Sequence, residues 1–390
     1  MSSVILSAAR TPVGSFGGAL SSVSAPKLGA VAIEGALDRA GVSKDDVNEV
    51  ILGNVVTAGE GQAPARQAAL GAGLPEAVHC MTINKVCGSG MKAVMLADQA
   101  IRAGDADVVV AGGMENMSQA PFYLAKARYG YGYGNGELID GLYHDGLRDA
   151  YDDVAMGVAA DQCADTCNVP RERQDSFSIE SYTRAQASTQ NGAFAQEIIS
   201  VTIKGRKGDT VVDTDEEPAK TNFEKIPNLR AVFTKDGTVT AANASTINDG
   251  AAALVVASSE WAEANGRTPM ARIVASAQHS QAPMEFTTAP IGSIEKVLDK
   301  AGLTLDDIDL FEVNEAFAVV ALAAQDALGI PSEKLNVRGG SVAVGHPIGA
   351  SGARILTTLL HAMVEQNARY GLAAICIGGG EATAIILERA

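Results

Sequence analysis

The chain has 390 residues, 47% of them hydrophobic and 19% charged, enough for two or three soluble domains with a sizeable buried core. Its formal net charge of −16 argues against a nucleic-acid partner, and no run approaches the roughly 20 apolar residues that a membrane-spanning helix needs. Five cysteines, at positions 80, 87, 163, 167 and 376, are odd in number and scattered, which fits reduced thiols better than a disulfide framework.

The opening MSSVILSAARTPVGSF carries only a short apolar patch before Arg10 and Pro12, and the last residues are not Ser-Lys-Leu, so a cytoplasmic location is expected. Residues 35–54, GALDRAGVSKDDVNEVILGN, have the spacing of an amphipathic helix stopped by glycine, a capped turn and a buried strand. INKVCGSGMKAV then places a cysteine at the mouth of a glycine turn that runs straight into a helix, and DVVVAGG follows as a strand. From about Ala120 to Ile247 glycine, tyrosine and charge replace apolar runs, as in RYGYGYGNGELIDG and IKGRKGDTVVDTDEEPAK. The stretch is too long for a plain loop and predicts a lobe of its own. NDGAAALVVAS, 248–258, reads as a buried helix-strand returning to the first half.

A second half repeats the first. KVLDKAGLTLDDIDLFEVNE, 296–315, matches 35–54: Leu37, Asp38, Ala40, Gly41, Asp45 and Asp46 recur as Leu298, Asp299, Ala301, Gly302, Asp306 and Asp307. Downstream, CGSGMKAV with its strand DVVVAGG parallels GASGARIL with AAICIGGG. Two matching segments in the same order predict two related α/β halves, each an open, mixed sheet covered by helices. The expected division is 1–119 plus 247–268, an inserted lobe at 120–246, and 269–390.

The repeat aligns three reactive residues at element ends, where α/β sheets bind ligands. Cys87 precedes the helix of the first half, His346 in VGHPIGASG precedes its counterpart, and Cys376 ends the strand before Gly378-Gly-Gly380. At a helix start the dipole and free N–H groups would lower the Cys87 pKa and make it a nucleophile, with His346 to accept its proton. As an alternative, Cys87 is a small buried residue. Cys376 reads as core or, with an ordinary thiol pKa of about 8.5, as an acid or base. Gly378–Gly380 offer N–H groups to an oxyanion. Asn314 either orients a water or substrate, or caps the helix after it. Gly88-Ser-Gly90-Met-Lys-Ala93 also fits the permissive dinucleotide pattern, with Glu115 the one acid at the end of the following strand. Cys163 and Cys167 fall on one helix face and fit core packing better than metal binding.

NKVCGSGMKAV, GGMENMSQAPF, NASTINDGAAALVV, VNEAFA, GGSVAVGHPIGASGARIL and CIGGGEATAIILE together resemble the thiolase family over nearly the whole chain. The resemblance implies a fold of two βαβαβαββ halves in a layered α/β/α/β/α core, with a loop domain inserted in the first. Within the family it points to the short-chain members that join two acetyl-CoA into acetoacetyl-CoA, reversibly and without a redox cofactor, at the entry to mevalonate and sterol synthesis. It implies that Cys87 becomes acetylated with help from His346, and that Cys376 removes the α-proton of the second acetyl-CoA. His346 and a water held by Asn314 would form one oxyanion hole, and the N–H groups of Cys87 and Gly378 the other. Coenzyme A would lie near Ser245, Lys220 and Lys225, the two lysines otherwise being solvated loop residues; Ala155 stands where several bacterial relatives carry histidine. A potassium ion would sit by Tyr182 and the carbonyls of Ala241, Ala242, Ala244 and Val342. The family also implies a homotetramer built as a dimer of dimers, with Tyr129 to Gly136 as a contact.

Other readings remain at this point. A degradative 3-ketoacyl-CoA thiolase with longer substrates differs only in pocket volume. A dinucleotide-dependent oxidoreductase would use GSGMKA and not need Cys87. A non-catalytic CoA-binding scaffold would tolerate loss of Cys87.

Overall fold

The computed structural model describes residues 2–390. The first half supplies β1 (Ser3–Arg10), α1 (Ala25–Ala40), β2 (Glu49–Gly53), α2 (Pro64–Gly71), β3 (His79–Ile83), α3 (Ser89–Ala103) and β4 (Val108–Asn116). An insertion with α4 (Met156–Thr166) and α5 (Arg171–Gln190) follows, and β5 (Asn248–Ser258) completes the half. The second half supplies β6 (Ala271–Ser280), α6 (Ala289–Ala301), β7 (Leu310–Val313), α7 (Ala318–Leu328), α8 (Ile348–Glu365), β8 (Tyr370–Ile377) and β9 (Glu381–Arg389).

The duplicated segments fold alike for local reasons. α1 stops where Gly41 turns left-handed (φ 61°), and α6 where Gly302 does (φ 66°), a conformation that a Cβ disfavours. The short turns that follow are capped by Ser43, which accepts from the Asp45 N–H, and by a Thr304–Asp307 capping box. Both then run into a buried strand.

The strands join in the order β7-β8-β9-β6-β1-β5-β4-β2-β3, with the two-residue strand Gly14–Ser15 beside β5. β1 and β6, the first strands of the two halves, meet antiparallel at Val4–Arg272 and Ile5–Ala271. Each is bulged at the equivalent place: the register slips between Ile5 and Ser7 in β1 and between Ile273 and Ala275 in β6. One apolar cluster covers α1, α2 and one face of the first half-sheet. Another gathers α3, α8 and the inner faces of both half-sheets, and a third covers α6, α7 and the far face of the second. The result is the expected α/β/α/β/α layering, with α3 and α8 as the middle layer.

Two details depart from expectation. Asn248–Ser258 is a strand from end to end, buried throughout, with no helical part. Its small and apolar residues suit a central strand covered on both faces. The counterpart of β3 in the second half is reduced to a single parallel bridge, Phe311–Leu335. The insertion reaches across the molecule: α4 and α5 lie against α7, and α5 also against the short helix Ser341–Val344.

Candidate active site

The starts of α3 and α8 lie together at one end of the middle layer. Cys87 sits in the turn that opens α3. Val86 before it has φ +44°, a left-handed backbone that costs a β-branched residue about 1–3 kcal/mol. Ser89 holds the turn there: its Oγ donates to the Val86 carbonyl (2.7 Å) and accepts from the Lys85 N–H (2.8 Å). Lys85 is in turn ion-paired with Glu381 at the start of β9, so the Cys87 turn is tied to the second half. The Cys87 sulfur lies near the Gly378 N–H.

His346 follows Gly345 (φ +110°), where a Cβ would lie 2.5 Å from the Asn248 carboxamide. Asn248 Oδ1 accepts from the backbone N–H of His346 (2.8 Å). The His346 Nδ1 is 2.6 Å from Ser351 Oγ, and that hydroxyl donates its one proton to the Pro347 carbonyl (2.8 Å). Nδ1 must then carry the hydrogen, which makes Nε2 the lone-pair nitrogen. Nε2 is buried and unpartnered among the described residues. Burial, and then the charge of Arg354, push the imidazole down to about 3, so it is neutral.

Burial pushes the Cys87 thiol up to about 11, against the pull of the N–H groups of Gly378 and of Cys87 itself. The expected lowering at a helix start is thus reversed: the backbone donors act, but desolvation outweighs them. Cys376, 1% exposed, is likewise not an ordinary thiol; burial and the neighbouring Cys87 hold it well above the usual range. Asn314 directly follows β7, and its Oδ1 accepts from Ser341 Oγ (2.6 Å) while Nδ2 is buried and unpartnered among the described residues. It does not cap the next helix, which starts at Ala318 with Phe317 as its cap residue.

A cleft of about 530 Å³ opens beside Cys87 and His346, with Cys376 and Asn314 outside its lining. Cys87, His346 and Gly378 line it, with Met156, Phe233, Phe286 and Phe317 in its walls. Ser245, Ala241, Ala244 and Ala155 also line it. Lys220 reaches the mouth, where its ammonium donates to Ser15 Oγ and lies 3.7 Å from Glu216. Lys225 is exposed on the turn Phe223–Asn228 and is not among the lining residues. Tyr182 and Val342 are buried together in a neighbouring cluster, and Ala242 is buried beside the cleft wall.

Glu115 corrects the dinucleotide reading. It is fully buried, and its carboxylate accepts from Asn54 Nδ2 (3.0 Å) and from the N–H groups of Val55 (3.0 Å), Val56 (3.1 Å) and Gly349 (2.8 Å). It ties the two halves together and is closed to a ribose. The glycines of CGSG are likewise taken up by packing: a Cβ on Gly88 would lie 2.3 Å from Ile377. Ser351, Ser341, Arg354 and Asn248 were missed in the sequence. Only Ser351 left a trace there, in the Ser-Gly shared by both halves.

Residues 3–260 match the family model "Thiolase, N-terminal domain", and residues 267–389 match "Thiolase, C-terminal domain". A probable acetyl-CoA acetyltransferase of Dictyostelium discoideum is 54% identical over 387 residues, covering 99% of this chain and 94% of its own. The acetyl-CoA acetyltransferase of Schizosaccharomyces pombe is 51% identical over 387 residues, covering 99% and 98%. Among solved structures, the Acat5 thiolase of Ascaris suum in complex with coenzyme A aligns with a TM-score of 0.95 at 42% identity over 100% of both chains.

Proposed function

The chain belongs to the thiolase family, and on that premise we propose that it condenses two acetyl-CoA into acetoacetyl-CoA and coenzyme A, reversibly, through an acetyl-Cys87 intermediate. One observation carries the reading: Cys87, Gly378 and His346, whose Nε2 is buried and unpartnered among the described residues, line one cleft.

In the first half-reaction the Cys87 sulfur bonds to the thioester carbon and its proton passes to His346 Nε2. The bond from that carbon to the coenzyme sulfur breaks, and the Cys376 proton leaves with the coenzyme. The N–H groups of Cys87 and Gly378 hold the oxyanion. The Cys376 thiolate, derived from a thiol held well above its usual range, is a strong base. It takes the α-proton of the second acetyl-CoA, whose enolate oxygen meets His346 Nε2–H and a water on Asn314 Nδ2. The carbanion attacks the acetyl group, the Cys87–carbon bond breaks, and Cys87 recovers its proton from His346.

Coenzyme A would enter past Ser245, with Lys220 and Lys225 supplying local positive charge to an acidic chain. A potassium ion beside Tyr182, a homotetramer and a cytoplasmic place at the entry to mevalonate and sterol synthesis extend the same reading. The unpaired sheet edge at β3 and the fully exposed Tyr129 and Tyr133 support an assembly of subunits. Mass spectrometry after mixing with acetyl-CoA tests the core of the reading. An acetyl group on Cys87, absent in Cys87→Ser, is expected; no adduct under turnover conditions overturns it.

A further inference from the structure

Asn314 has to keep its NH₂ free if it is to hold a water by donation, yet a carboxamide can lie either way round. Two hydrogen bonds behind it make the choice. Arg354 Nη2 donates to Ser341 Oγ (2.9 Å), and Ser341 Oγ donates to Asn314 Oδ1 (2.6 Å). A guanidinium carries donors only. Ser341 therefore accepts from it, which leaves its single proton for Asn314, and the 2.6 Å separation is that of an O–H···O bond. Asn314 receives that proton on oxygen, and Nδ2 is left free.

The three side chains are closed to solvent: Arg354 is 2% exposed, Ser341 0% and Asn314 1%. Arg354 makes no ion pair among the described residues, and its Nε and Nη1 are unpartnered there. The carboxyls around it are Glu312, Glu197 and Glu315, with Arg10 also near. Glu315 is engaged by Ser181, Asn336 and the Val342 N–H, and Glu197 by Arg10 and Arg338. Burying a guanidinium without a paired carboxylate is costly, so its hydrogen bond to Ser341 stands out. Ser351 lies three residues before Arg354 on α8 and fixes the His346 tautomer. One turn of one helix thus sets the polarity of both groups that would meet the enolate oxygen.

We propose that Arg354 is a positioning residue of the reaction, acting through Ser341 to hold Asn314 by its Oδ1 so that its NH₂ stays free to donate to a water. The proposal rests on the acetyl-Cys87 reading above. Acetylation of Cys87 calls on the N–H groups of Cys87 and Gly378, not on Asn314; the condensation step calls on Asn314. Breaking the relay should therefore separate the two steps.

The experiment compares Ser341→Ala, Arg354→Lys and Arg354→Met with the unaltered chain. It measures the amount of acetyl-Cys87 formed on mixing with acetyl-CoA and the steady-state condensation kinetics. Ser341→Ala is expected to acetylate normally and keep KM within about twofold, while kcat falls by about tenfold to a hundredfold. Arg354→Met should behave the same way, and Arg354→Lys, again a donor-only cation, should keep kcat within about threefold. Undiminished turnover in Ser341→Ala overturns the relay, as does loss of acetylation and turnover together in that variant. An unaltered chain that gains no acetyl group on Cys87 overturns the reading beneath it instead, and the proposal with it.

Discussion

Gly90 and Gly352 each omit a side chain where the other's helix passes. A Cβ on Gly90 would lie 2.7 Å from Ala353 N, and one on Gly352 would lie 2.4 Å from Met91 N. Each glycine faces the residue that follows the other, as a twofold repeat requires. The contact joins the starts of α3 and α8, and so sets Cys87 against His346. Gly90→Ala and Gly352→Ala are each expected to destabilise the fold by about 1–3 kcal/mol. Turnover should fall further than the loss of folded protein explains, because the helix starts move apart. Urea unfolding together with kcat on the folded fraction checks this; full activity in both variants would show that the contact does not govern the site.

That pair also marks what could and could not be read ahead of the structure. The halves were legible because their signals are local: glycine stops at 41 and 302, capped turns, and strands bounded by turns. Cys87, His346, Cys376 and Asn314 were legible because each stands at an element end within a recognisable motif. The partner of Gly90 lies 262 residues away and leaves no local mark. The Cys87 pKa was misread for the same reason, since a helix start is visible in a short window and burial is not. Ser341 and Arg354 are ordinary helix residues until the fold lines them up behind Asn314. Asn248 lay inside an apolar strand whose first residue gave no sign of holding the GHP turn.

Glu115 supports a second prediction. Its four accepted hydrogen bonds come from donors on both halves, so its carboxylate clamps the loop after β2 to the start of α8. Glu115→Gln offers an NH₂ where N–H groups already point. It is expected to destabilise the chain by about 2–4 kcal/mol, since at least one buried donor is left unpaired. Thermal and urea melts measure the loss. A melt unchanged from that of the unaltered chain would mean that the clamp contributes nothing.

Cys87 and His346 titrate in opposite directions, and the sign of each can be tested. With the thiol near 11 and the imidazole near 3, the proton rests on sulfur and both groups are neutral at pH 7. Alkylation of Cys87 by iodoacetamide should then quicken by about tenfold per pH unit between 7 and 10. A rate plateau near neutrality would instead reveal a resting thiolate–imidazolium pair. On the acid side, an unfolded histidine binds a proton near pH 6.5 that the folded His346 refuses until about 3. His346 therefore makes stability fall as pH drops through that window, and replacing it with glutamine should flatten this part of the urea-midpoint profile.

Potassium provides the last test. Tyr182 and Val342 share one buried cluster, Ala241 and Ala244 line the adjoining cleft wall, and Ala244 is bridged to Phe317. A phenol and peptide carbonyls are neutral, hard oxygen donors, which suit a large monovalent cation and not a thiophilic metal. Burial raises the Tyr182 phenol, against a smaller downward pull from the nearby Thr221 hydroxyl, and Glu217 and Glu315 add negative charge nearby. A cation there would stiffen the turn that carries Ser245, so its effect should fall on coenzyme binding before chemistry. Replacing sodium with potassium at constant ionic strength is expected to lower KM for the CoA thioester. Tyr182→Phe should erase the difference between the salts while leaving the rate in sodium nearly unchanged, because the ring keeps its place in the buried cluster and its packing on Phe223. Identical kinetics in the two salts for the unaltered chain would remove the cation from the site, and Tyr182 would then serve packing in its buried cluster alone.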